Sequence, residues 1–453
     1  MNSPTESAPL PSAEELLALD RVRALFAPYS RPLVVTAVRD ALTWYRSVLA
    51  PGDSPPPLYD LLAQVEAFVQ RNAASRIRPV VNATGILLPD ALGNAPLPRE
   101  CAHGFPAVQR WCSSRMDPVT GEPKRRTRVV EHLLCMLTGA EAALITSSET
   151  AAVVLAVAAL CEGRDVMVPA MAIQHHTPLA RVIDCLARSG VGVHESLDEA
   201  DQAIGLQRAI TSRTAGLLYM DATAAPPAGL IDLAQENGVT VFDAFNGGNL
   251  CDVTRFAAPA MATVGQRLTA GADVCVFAAN HLPGGPQAGA LVGRREILEQ
   301  IRAHPFAHMV EADALTELAL EQVLRLFGEP ELLPQRHPLY YALARPTDEM
   351  LVLAGALAER LDALDPSIET RTIRAEASLG DGILRSIALP SFAVEAHISD
   401  MSGGELARRL RECEPPVVSV VVGESVRLIV RTLLDGDGDH IVYAFEAVLR
   451  ESR

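Results

Sequence analysis

Two apolar runs end in residues able to do chemistry. VTVFDA (239–244) closes on Asp243, and DVCVFAANHLPGGPQAG (273–289) runs into Asn280, His281 and a glycine-rich turn. Ligands of open α/β sheets collect at the C-terminal ends of the strands. A carboxylate there can keep a ring nitrogen protonated through a charge-assisted hydrogen bond, or it can cap the following turn. An imidazole there can act as a general base. A third stretch, ITSSETAAVV (145–154), passes from a strand through a polar turn into an alanine-rich helix. Ser147, Ser148 and Thr150, with the open N–H groups of the helix start, suit a phosphate or simply cap the helix. Glu149 in the same turn opposes a tightly held dianion. His175 and His176, in MAIQHHTP, could stack on an aromatic ligand or belong to an exposed loop.

The elements that must position these residues follow from the hydrophobic pattern. Residues 12–26 and 33–49 read as amphipathic helices, the first opened by Ser12 with Glu15 three positions on. PGDSPPP (51–57) breaks the pattern as a linker, and a third helix covers 58–74. From about residue 77 strand-like and helix-like segments alternate. AALIT (142–146), DVMVP (165–169), AGLLYM (215–220), VTVFDA (239–244), DVCVFAA (273–279) and AGALVG (288–293) read as strands. Helices follow from Ala151, near 177–189 and at 230–238. Continuous apolar strands alternating with helices predict a mostly parallel sheet covered on both faces. After the helix at 313–327 the pattern changes to LRSIALPS, a helix at 402–412, PVVSVVVGESVRLIVRTLL (416–434) and a final helix, which predicts a small α+β domain with an antiparallel sheet. The expected organisation is therefore a helical domain at 1–75, a large α/β domain at 76–335 and an α+β domain at 336–453. Trp44 and Trp111 read as packing residues, and VVSVVVGESVRLIV as strand core.

At 453 residues, 49% of them hydrophobic and 21% charged, the chain has the composition of a globular protein. No apolar run is long enough to span a bilayer, and the first residues lack the basic and apolar regions of a signal peptide. Eight scattered cysteines without metal-ligand spacing predict reduced thiols and a cytoplasmic location. The formal net charge of −16 disfavours nonspecific attraction to a polyanion, leaving only local basic patches such as KRRTR (124–128). Lys124 is the only lysine; every other basic residue is arginine or histidine. An arginine cannot replace a lysine that condenses with an aldehyde, because guanidinium stays protonated.

Several stretches together resemble one family. RPVVNATGILLPDALGNAPLP (78–98), the segment RWCSSRMDPVTGEPKRRTRVVEHLLCMLTGAEAALITSSETAAVVLA (110–156), LPGGPQAGALVGRREILEQIRAHP (282–305) and SIALPSFAVEA (386–396) are similar to bacterial selenocysteine synthases, the L-seryl-tRNA(Sec) selenium transferases. TGAEAAL and GGPQAG, in order, are its most specific marks. The resemblance covers nearly the whole chain and implies a fold-type-I pyridoxal-phosphate transferase. It also implies Asp243 as partner of the cofactor's ring nitrogen, and a dimer or ring of dimers.

The departures bear on chemistry. Where the family carries its Schiff-base lysine this chain has His281. An arginine of the family's N-L-G-R is Asn94, and a basic pair that helps bind the anionic selenium donor falls on His308 and Glu311. The asparagine-rich phosphate turn reads Ser147-Ser148-Glu149. Lys124 matches a different loop of the family. Selenium transfer is therefore not expected. One reading is a catalytically silent paralogue that binds a partner, a catalytic relative included. The alternative is a transferase or lyase that holds pyridoxal or pyridoxamine phosphate without a covalent link and uses His281 as general base. The family's helical domain contacts tRNA; here acidic residues nearly balance the arginines of 1–75, so tRNA binding is expected to be weak or absent.

Overall fold

A computed structural model describes residues 10–49, 54–73, 77–124, 127–169, 177–196, 202–221 and 223–452. The chain divides into two compact units, Met1–Pro79 and Val80–Arg453.

The first unit is helical. α1 (Ala13–Ala18) opens with the expected capping box, Ser12 and Glu15 bonding each other's backbone N–H groups. The helix expected over 12–26 is broken at Leu19, whose extended backbone (ψ 138°) ends α1 and starts α2 (Asp20–Ala24). α3 (Arg31–Val48) takes Pro32 in its first turn, where no N–H is needed, and buries Val34, Ala37, Val38, Ala41 and Leu42. α4 (Leu58–Ala73) answers with Leu61, Leu62, Val65 and Val69. This three-and-four spacing gives one apolar face per helix, and the two faces share a core. Trp44 is not in that core. It is 42% exposed and packs edge-on against Tyr45, while Trp111 in the second unit is fully exposed, so neither is the packing residue its type suggested.

The second unit is built on a seven-stranded sheet. In chain order its strands are β3 (Ala142–Thr146), β4 (Asp165–Pro169), β5 (Gly192–Ser196), β6 (Thr214–Tyr219), β7 (Thr240–Asn246), β8 (Val274–Ala278) and β9 (Gly289–Gly293). The spatial order is β3-β9-β8-β7-β6-β4-β5, parallel from β8 to β5, with β9 antiparallel to both its neighbours. β3, β8 and β9 are buried along their whole length, which is why their sequences run apolar without alternation.

A five-stranded sheet follows, in which β10 (Ile368–Gly380) and β11 (Ala388–Ile398) form the long antiparallel pair and β13 (Val420–Val422) and β14 (Ser425–Ile429) complete one edge. The other edge is β2 (Ile86–Leu88), parallel to β10 through Ser378↔Ile86 and Gly380↔Leu88. β1 (Val81–Asn82) likewise pairs with β12 (Val417–Val418). The segment at 81–88 thus belongs to the C-terminal sheets, which no local pattern announces. The stretch read as one core strand is three short ones, and Val421 and Val422 are exposed. All eight cysteines are free, and among the described residues no helix is long and apolar enough to cross a membrane.

The loop after β8 is held from below by α5 (Pro338–Ala344). Tyr340, fully buried, donates its hydroxyl to the Leu282 carbonyl at 2.9 Å. His337 caps α5 by accepting the Leu339 N–H, and its other ring nitrogen lies 3.2 Å from the Gly284 carbonyl oxygen. Gly284 adopts φ +67°, and a Cβ there would strike the His337 ring, so glycine is required on both counts.

Burial pushes the His337 pKa down to about 4 from an ordinary 6.5. The unfolded chain therefore takes up the proton first as pH falls. The stabilisation is complete above 6.5 and is lost between 6.5 and about 4, amounting to about 3 kcal/mol. His337→Asn should flatten the acid-side dependence of the unfolding free energy measured by urea denaturation. An unchanged dependence would contradict this assignment.

Candidate functional site

Asp243 lies on β7 in register with Tyr219 on β6 and Cys275 on β8. Its carboxylate is fully buried, and a buried charge needs a partner. α6 (Glu149–Cys161), α7 (Ala228–Glu236) and α8 (Val264–Thr269) are the helices that matter next, and α8 supplies that partner. Thr263 and Gln266 form a capping box that fixes its start, and its Arg267 is 1% exposed. Arg267 Nη1 donates to both Asp243 oxygens, at 3.0 and 3.1 Å. Nη2 donates to the Asp221 carbonyl at 2.9 Å, while Nε is buried without a hydrogen-bond partner among the described residues. The Asp221 carboxylate fixes its own loop by accepting the N–H groups of Thr223 and Ala224, both at 2.7 Å. Burial, then Asp221 and Asp243, pushes the Tyr219 hydroxyl up to about 12, and burial followed by Asp243 raises the Cys275 thiol well above its usual range. Both groups stay neutral, and Arg267 compensates the Asp243 charge. Sequence reasoning missed it; a lone arginine in GQRLTAGAD gives no sign that its helix turns it into the sheet.

His281 occupies the turn after β8. Its carbonyl accepts the Gly284 N–H at 2.8 Å, Leu282 donates to the Gly247 carbonyl at 3.0 Å, and Gly285 donates to Ala279 at 2.8 Å. The imidazole is partly buried and makes no hydrogen bond among the described residues. Burial lowers its pKa to about 4, so at neutral pH it is an uncharged base. It carries no primary amine.

The same turn leads into β9, which passes the start of α6. A Cβ on Gly289 would strike the Ser148 carbonyl, and the Thr146 hydroxyl lies 2.9 Å from that carbonyl and 3.3 Å from that of Gly289. The GGPQAG glycine thus lets β9 pass close against the start of α6. Ser148 is the N-cap, accepting the Ala151 N–H at 3.2 Å. The Ser147 N–H is consumed by the Val310 carbonyl at 2.7 Å. Thr150 stands partly buried in the first turn. Glu149 beside it has its Oε1 buried without a hydrogen-bond partner among the described residues, and burial, then Asp90, raises its pKa to about 8. A phosphate dianion at this helix start would meet a carboxyl that is itself reluctant to ionise.

Of the degenerate anion positions, Glu311 lies beside this turn. Glu311 bridges Thr146 through its backbone and binds Arg115 at 2.7 Å, so the reversed charge is locally neutralised. His308 is exposed. Asn94 takes a left-handed backbone (φ 67°) and leaves its Oδ1 buried without a hydrogen-bond partner among the described residues. Lys124 donates its N–H to the Arg115 carbonyl at 3.0 Å, which ties its hairpin to the same neighbourhood through Arg115 and Glu311. His175 and His176 lie outside the described residues. No group of three metal-ligating side chains occurs among the described residues.

Comparison with known proteins identifies this arrangement. The model of the L-seryl-tRNA selenium transferase family matches residues 80–434, and that of the selenocysteine synthase N-terminal region matches 9–46. The L-seryl-tRNA(Sec) selenium transferase of Hyphomonas neptunium is 32% identical, over 97% of this chain and 98% of that protein. Its counterpart in Geobacter sulfurreducens is 30% identical over 96% and 97%. Among solved structures, a D-glucosaminate-6-phosphate ammonia-lyase superposes with a TM-score of 0.57 at 16% identity, covering 87% of this chain and 99% of that one, a likeness of fold. The architecture is that of the fold-type-I pyridoxal-phosphate enzymes, and the chain belongs to the L-seryl-tRNA selenium transferase family.

Proposed function

We propose that this chain is a non-catalytic member of its family, a scaffold subunit that keeps the fold and binds a partner without transferring selenium. The observation that carries this reading is His281 at the position of the family's Schiff-base lysine. An imidazole cannot condense with an aldehyde whatever its pKa. Lys124, the only lysine, sits on the hairpin tied to Arg115 rather than on the turn after β8.

The residues present do not fit a covalently held pyridoxal phosphate, and three further observations weigh against the family's use of one. Asp243 is engaged by Arg267, the Ser147 N–H is engaged by Val310, and the Glu149 Oε1 is buried beside that helix start without a hydrogen-bond partner among the described residues. No step is therefore routed through that group. The partner expected from family resemblance is a second copy of this chain, in dimers or rings of dimers, or a catalytic relative assembled with it. Conversion of L-seryl-tRNA(Sec) with selenophosphate, assayed beside one of the active relatives, should yield no selenocysteinyl product above background. Product formed at a rate approaching the relative's would overturn the proposal.

One observation favours a second reading, in which His281 is the general base of a transferase or lyase that holds pyridoxal or pyridoxamine phosphate without a covalent bond. Its imidazole is neutral at working pH and unpaired among the described residues. In that case any activity must rise as pH passes upward through about 4 and stay level towards neutrality, because the base form is complete above its lowered pKa. A rate limb near the ordinary histidine value would exclude His281 as that base.

A further inference from the structure

The cation on Asp243 also decides which ligands this end of the site can hold. Family resemblance makes Asp243 the partner of the cofactor's ring nitrogen, a role in which the carboxylate keeps that nitrogen protonated. Here the carboxylate is wholly enclosed, and a guanidinium 1% exposed donates to both its oxygens. Nη2 is anchored separately on the Asp221 carbonyl, in a loop that the Asp221 side chain itself braces. A guanidinium is a permanent cation in proteins. A second cation brought against a carboxylate already neutralised in a low-dielectric interior loses most of the attraction that would protonate it, and it meets the repulsion of the first. The cross-strand neighbours Tyr219 and Cys275 bring no negative charge to offset this, since burial keeps both neutral.

We propose that Arg267 is an internal counter-cation that takes the place of a protonated ring nitrogen at Asp243, so that this end of the site accepts only ligands whose contacting ring is uncharged. The chemical class is an aromatic ring that is neutral where it meets the strand end. This rests on Asp243 as the family's ring-nitrogen partner, and it holds whether or not His281 is silent. An unprotonated ring is a poor electron sink, so the arrangement also selects against carbanion chemistry for a cofactor held without a covalent bond.

The test compares two probes on the whole protein by titration calorimetry: pyridoxamine phosphate and its analogue in which CH replaces the ring nitrogen. On the unmodified chain the two should bind with affinities equal within about two-fold, or neither should saturate. A preference of about ten-fold or more for pyridoxamine phosphate would overturn the proposal. Arg267→Met should create that preference by releasing the Asp243 carboxylate. Arg267→Gln, which keeps hydrogen bonds without the charge, serves the same purpose if the first variant does not fold. A folded variant that binds neither probe, or binds both equally, would also overturn it. Selenocysteinyl product or a trapped adduct would count against the proposed function and leave this result unaffected.

Discussion

The backbone from Ala279 to Gly285 is held on every side. The Gly247 carbonyl fixes the Leu282 N–H, the Tyr340 hydroxyl fixes the Leu282 carbonyl, and His337 meets the Gly284 carbonyl from beneath. Buried backbone groups that lose such partners cost about 1–3 kcal/mol each, so this turn keeps its shape whatever side chain residue 281 carries. The chemistry available there is accordingly decided by one side chain. A lysine would present an amine on a rigid platform, and His281 presents a neutral imidazole on the same platform. The scaffold and its covalent chemistry are separable for this reason.

The charges around the turn have been rearranged in a consistent direction. Asp243 is matched by Arg267 in a pair whose removal from one side would leave a buried charge, at a cost of about 3–5 kcal/mol. Glu311 is matched by Arg115, and Glu149 answers its burial by a raised pKa. In each case the protein satisfies or neutralises the group from within. A site prepared for an anionic ligand leaves donors and cations open, and the Ser147 N–H and the Arg267 guanidinium are instead spent on internal acceptors.

Much of this was legible in the sequence because its signals are local. The apolar runs of β3, β8 and β9, the Ser12 capping box and the helix after Ser148 each follow from a few adjacent residues, and the glycine-rich turn is explained by the positive φ of Gly284 and the close approach at Gly289. Long-range pairings were not. The segment at 81–88 joins strands near 378 and 417, and Arg267 reaches Asp243 from a six-residue helix, with nothing in either stretch to declare the partner. Trp44 and Trp111 failed for the complementary reason that residue type alone says nothing of exposure.

His281 offers no amine where the aldehyde would be captured, and a mass spectrum tests that directly. The full-length protein would be saturated with pyridoxal phosphate, reduced with borohydride and mapped peptide by peptide. The chain should return unmodified, the Lys124 peptide included. A stoichiometric phosphopyridoxyl group on Lys124 or any other side chain would contradict the claim.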